Sequence, residues 1–94
     1  MRTAVDGGRA TDLRENYNTP EKNLVGPRVR AARAKGKTPI TQRELSIRLE
    51  VRGVHIDRAG VSKIETQERM VTDKELAALA DALHVSVTWL LGLE

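Results

Sequence analysis

The sequence predicts an all-α domain of five short helices, preceded by an arm. Three observations predict it. Apolar residues recur at helical spacing from Val25 to Leu91. Thr41, Asp57, Thr72 and Ser86 each stand where one of those helices needs a cap. No stretch alternates apolar and polar residues in the way a half-buried strand does.

The elements follow in order. Residues 1–22 hold Gly7-Gly8 and scattered polar residues without apolar periodicity. They are expected to form a flexible N-terminal arm, disordered or marginally helical, and residues 23–94 the folded domain. Segment 24–35 places Val25, Val29 and Ala32 on one helical face. Pro27 falls in its first turn, where a missing N–H costs nothing, whether the cap is Gly26 or the helix begins at Leu24. Gly36 stops it. Thr41 caps a second helix, with Glu44 placed for a capping box and Leu45, Ser46 and Leu49 as the inner stripe. Gly53 breaks the chain. Asp57 caps a third helix with Val61 and Ile64 facing inward. Thr72 and Glu75 form another capping box, opening a fourth helix with Leu76, Leu79, Ala80 and Leu83 on one face. Ser86 caps a short fifth helix carrying Trp89, Leu90 and Leu91. None of these helices is long enough to be stable alone, so all must share one core.

Composition narrows the function. Ninety-four residues suit one domain. The absence of Cys excludes disulfides and thiolate metal sites. No apolar run approaches the roughly twenty residues of a membrane helix, and there is no signal-peptide core. A soluble, cytoplasmic chain with no membrane partner is therefore expected. With one Trp, one Tyr and no Phe, stacking on single-stranded nucleic acid is disfavoured. The net charge of +3 is unevenly spread. Residues 1–25 are neutral overall. Residues 26–65 carry ten basic against four acidic side chains, and residues 66–94 two basic against five acidic. The middle segment suits an anionic partner. For Arg28, Arg30, Arg33, Lys35 and Lys37 a solvated face is the plainer expectation, with distant phosphate contacts as the alternative.

Catalytic and metal chemistry find little support. His55 and His84 lack ligand-like spacing. Glu44, Asp57, Glu65 and Glu75 mostly fall at expected caps or helix starts. No nucleophile–base set, glycine-rich phosphate loop or metal motif is present. No enzyme activity, cofactor or metal is expected.

The span from Thr41 to Arg69 carries the functional signal. Two short helices follow each other, and the second leaves Arg58, Ala59, Ser62 and Lys63 facing outward near its N-terminus. Such a helix can enter a major groove while the preceding one crosses the backbone. An arginine can donate two hydrogen bonds to guanine O6 and N7, and an alanine can touch a thymine methyl. Gly60 weakens the interior of this helix, and close approach either to the second helix or to DNA would account for it.

Several motifs together resemble the Cro/phage-repressor (XRE-like) helix-turn-helix domains over about residues 23–92. They are Thr41-Gln42-Arg43-Glu44-Leu45, Val61-Ser62-Lys63-Ile64-Glu65, Arg69, Glu75-Leu76 through Ala80, Ala82-Leu83, Val85-Ser86-Val87 and Trp89-Leu90-Leu91-Gly92. The resemblance implies double-stranded DNA as partner. It implies base reading by Arg58, Ala59, Ser62 and Lys63. It also implies phosphate contacts from Gln42 with the adjoining Arg43, and from Thr66 and Arg69 in the loop after the recognition helix. Two departures stand out. Seven residues, Glu50 to Ile56, separate Leu49 from the cap Asp57, a longer turn than such domains usually have. It bears on the angle between the two helices, and Arg52 or His55 is a candidate for added contacts. His84 stands where such domains often carry Gly in a left-handed conformation, at a cost of about 1 kcal/mol.

The expected function is a sequence-specific transcriptional regulator, most simply a repressor. It would act as a homodimer through Leu91, Leu93 and the fifth helix. The alternative is an antitoxin or other protein-interaction module, with the arm binding a protein partner and DNA binding secondary.

Overall fold

The computed structural model describes residues 17–94, so most of the expected arm lies outside the described residues. The domain is all-α, as its periodicity predicts. Five helices are described: α1 (Gly26–Ala34), α2 (Gln42–Val51), α3 (Arg58–Glu65), α4 (Asp73–Leu83) and α5 (Val87–Leu90). No strand is present among the described residues. α3 packs against both α1 and α2, α4 against the same two helices, and α5 closes one end against α1 and α4. Every helix supplies at least one fully buried side chain to the core: Val29, Leu45 and Leu49, Val61 and Ile64, Leu79, and Leu90.

The caps form where the sequence places them. Thr41, Asp57, Thr72 and Ser86 accept from the backbone N–H groups of Glu44, Gly60, Glu75 and Trp89 at 2.8–3.1 Å. Among the described helices only α4 has the reciprocal bond of a full capping box, from Thr72 N–H to Glu75 at 3.0 Å. At α2 the box is half made, because the Glu44 carboxylate lies toward Arg48, 3.8 Å away. α1 starts at Gly26 after Val25, with Pro27 in its first turn. Its first N–H donates to Asn23 Oδ1 at 2.9 Å.

Four helices end in the same way. The chain turns left-handed at Gly53 (φ 81°), Gln67 (φ 63°), His84 (φ 57°) and Gly92 (φ 80°). In each case two N–H groups bond back to the carbonyls of the last turn, the Schellman arrangement. His84 therefore takes the conformation its position predicts. Gln67 does the same without any glycine-like signal in the sequence.

The long turn before α3 is pinned at both ends. Arg52 reaches Asp81 of α4 at 2.6 Å and donates to the Arg48 carbonyl at 2.9 Å. Ser46 donates its hydroxyl to the Ile56 carbonyl at 2.6 Å, and the Ile56 side chain is buried. The extra length thus forms a fixed connection that brings Ile56 against the first turn of α3 at Gly60. A Cβ at Gly60 would stand 2.7 Å from Ile56 Cγ2. Gly60 is there for packing, and its close neighbour is the turn rather than α2.

Candidate nucleic-acid interface

α3 owes its presentation to its two faces. Val61 and Ile64 are fully buried. Arg58, Ala59 and Lys63 are exposed and Ser62 half-buried, which puts all four expected base readers on the outward side. Arg58 occupies the first helical position after the Asp57 cap. Arg58 and Lys63 form no ion pair among the described residues. Both charges therefore remain available to an anionic or acceptor-rich surface.

The four expected phosphate contacts differ in what they must give up. Arg43 lies exposed in the first turn of α2 without an ion pair among the described residues. The first-turn N–H groups of that helix favour anions. Gln42 Nε2 donates to Glu65 Oε1 at 3.0 Å, which leaves its second N–H and its oxygen. Thr66 points its hydroxyl back at the Ser62 and Lys63 carbonyls, 3.1 and 3.3 Å away, and must rotate to donate elsewhere. Arg69 lies against Glu75 at 3.2 and 3.4 Å. It also borders an open cleft of about 450 Å³ with Ser46, Glu50, His55, Asp57 and Gly60.

The sequence overestimates the free basic field. Arg33, expected on a solvated face, forms a bidentate pair with Glu65 at 2.5 and 2.9 Å and also donates to the Ile40 carbonyl. Its guanidinium pKa is raised by the hydrogen bond and charge of Glu65 against the opposing effect of burial. Glu65 is no cap: it lies buried at the end of α3 and joins that helix to α1 and α2. Arg28 stacks 4.5 Å from the Trp89 ring centre and donates to the Trp89 carbonyl at 3.1 Å. Arg48 donates to the Ala82 carbonyl near the end of α4 at 3.1 Å. Together with Arg52, these arginines brace the fold.

A family model for helix-turn-helix domains matches residues 30–90. The chain belongs to the helix-turn-helix family of the Cro/C1 type. Within that fold α2 and α3 are the helix-turn-helix pair. Among solved structures the chain is similar to the P22 c2 repressor protein in its complex with synthetic operator 9T in the presence of Tl+. The identity is 33%, over 77% of this chain and 98% of that one, with a TM-score of 0.61. A search of curated proteins finds no match. Family and structural similarity together support a DNA-binding transcription regulator. No described helix is long and apolar enough to cross a membrane.

Asn23 and Gln67 escaped sequence reasoning. Asn23 touches the end of α3 through its side chain, and Gln67 supplies the left-handed turn there. A polar residue before a proline-containing helix start was the one available signal for Asn23. None marked Gln67.

Proposed function

We propose that this helix-turn-helix protein is a sequence-specific double-stranded DNA-binding regulator that acts as a repressor by occluding a promoter. The observation carrying this reading is the outward face of α3, where Arg58, Ala59 and Lys63 are exposed and uncommitted opposite a buried core face. In this reading α3 enters the major groove from its N-terminal end. Arg58 donates to a guanine, and Ala59, Ser62 and Lys63 meet the neighbouring base edges. Gln42 and Arg43 contact one phosphate run from the start of α2. Thr66 and Arg69 contact another from the loop after α3. The similarity to a repressor whose structure holds an operator supports the same partner class here.

One such module makes a small interface, so useful affinity requires two half-sites and a homodimer. The exposed apolar side chains Val87 and Leu93 support α5 and the residues after it as the dimer surface. Leu91, expected beside them, is partly buried against the core. The arm, residues 1–22, remains the candidate attachment for any protein partner.

Selection from random duplexes, followed by footprinting of the enriched site at two salt concentrations, tests the proposal. A symmetric site with half-sites roughly 34–36 Å apart is expected. Failure to enrich any sequence would sink the reading and favour a protein-interaction role.

A further inference from the structure

The end of the recognition helix is tied to a distant part of the chain. Its last carbonyls, like those of any helix, lack partners within the helix. Some are met by the turn itself: Gln67 N–H bonds to the Ile64 carbonyl at 3.0 Å and Glu68 N–H to Lys63 at 2.8 Å. A second bond to the Ile64 carbonyl, and one to Arg69 beyond the turn, come from Asn23, more than forty positions earlier in the chain. Asn23 Nδ2 donates to the Ile64 carbonyl at 3.1 Å and to the Arg69 carbonyl at 2.8 Å. Its Oδ1 accepts from Gly26 N–H at 2.9 Å. In return Gln67 Nε2 donates to the Asn23 carbonyl at 3.0 Å, and Lys22 N–H donates to the Gln67 carbonyl at 3.0 Å. Gly26 lets the two segments meet, because a Cβ there would stand 2.4 Å from the Ile64 carbonyl oxygen.

We propose that Asn23 is a positioning residue for DNA binding: with Lys22 and Gln67 it forms a clip that fixes the loop 66–69 at the C-terminal end of the recognition helix. This rests on the reading of Thr66 and Arg69 as phosphate contacts. Three features of the clip argue for positioning. It holds a loop that strains at Gln67, where a side chain sits at φ 63°. It spans the loop, gripping Ile64 before the left-handed residue and Arg69 after it. It involves Arg69 through the carbonyl alone, leaving the guanidinium to Glu75 or to an incoming phosphate. Asn23 itself makes no hydrogen bond to Arg58, Ala59, Ser62 or Lys63 among the described residues. The clip therefore governs how well the loop is preorganised, and leaves the choice of bases to α3.

The discriminating variant is Asn23→Asp. It keeps the acceptor for Gly26 N–H but turns a carboxylate oxygen toward the two carbonyls that Asn23 now serves. Asn23→Ala removes all three bonds, and Leu83→Ala, a core change on α4, serves as the comparison for general destabilisation. Each is made in the full chain and studied where circular dichroism shows it folded. Amide exchange at Gln67 and Glu68 and duplex affinity across salt concentrations are then measured. For both Asn23 variants, exchange at those amides accelerates and affinity for every duplex falls, each by about tenfold. Base preference at the enriched site stays unchanged and the salt slope flattens. Leu83→Ala does not reproduce this pattern. Unchanged exchange at Gln67 and Glu68 would overturn the clip itself. Faster exchange with unaltered affinity and salt slope would overturn its role in binding. A shifted base preference would mean that the bonds orient α3 instead, which also overturns the proposal. If the wild-type chain binds no duplex, the regulator reading fails and the positioning role fails with it, while exchange still reports on the clip.

Discussion

Arg33 donates two hydrogen bonds to a glutamate whose side chain is 4% exposed, whereas Arg58 faces outward with no carboxylate partner among the described residues. Both are arginines of the basic middle segment, and their consequences on removal should differ in kind. Arg33→Met leaves Glu65 buried with only Gln42 to serve it. It should cost about 3 kcal/mol of stability, read from the urea midpoint at constant slope. Arg58→Ala should leave that midpoint unmoved. It should cost roughly 1–3 kcal/mol of discrimination at one base position, and equal losses at every position would refute its reading role. Arg43→Ala should weaken all duplexes alike and flatten the salt slope by about one unit. His84→Gly relieves a side chain at φ 57° and should raise stability by about 0.5–1 kcal/mol. A 60–100-residue domain would show this as a rise of roughly 2–8 °C in thermal midpoint.

The elements of the interface are held by backbone approach as much as by side-chain packing. α1 lies so close to the end of α3 that Gly26 admits no methyl group, with two carbonyl oxygens 2.4 and 2.8 Å from the site of its Cβ. Gly26→Ala should therefore force the two helices apart, at a cost of about 1–3 kcal/mol. Because α3 is the shifted element, operator affinity should fall further than folding stability alone accounts for. Titration of the operator well below the thermal midpoint separates the two effects. Gly60→Ala differs in mechanism. The closest clash is with one side-chain methyl of the buried Ile56 rather than with backbone oxygens, so the loss should be milder. The long turn belongs at this scale too. Its length is plain in the sequence, but the bonds that make it rigid come from Asp81 and Ser46, one of them on another helix.

For the whole molecule, charge separation is the governing fact. The basic middle segment supplies α1, α2 and α3, and the acidic last third supplies α4 and α5. Such a molecule is drawn to a duplex with one side leading. Its affinity should fall steeply between low and physiological salt. The fall should be less steep than ten basic side chains suggest, because Arg28, Arg33, Arg48 and Arg52 are occupied in holding helices together. The number of phosphates contacted, read from the salt slope, checks this directly.

Sequence alone determined the helices, the caps of α2 to α5, the core stripes and the outward face of α3; the start of α1, expected at a Gly26 cap or at Leu24, falls at Gly26 after Val25. These depend on residues three or four positions apart, and that distance is local in the chain. It also marked α3 as the segment of functional interest, because Arg58, Ala59, Ser62 and Lys63 alternate with the buried Val61 and Ile64 on one helix. Tertiary structure decided which charges are free. Arg33 and Arg43 look alike in the sequence, and only the arrival of Glu65 from thirty-two residues away distinguishes them. The same holds for Asn23 and Gln67, whose bonds cross more than forty residues. A long-range partner leaves no periodicity behind it, so the face of the recognition helix could be read from the chain, and the clip that steadies its far end could not.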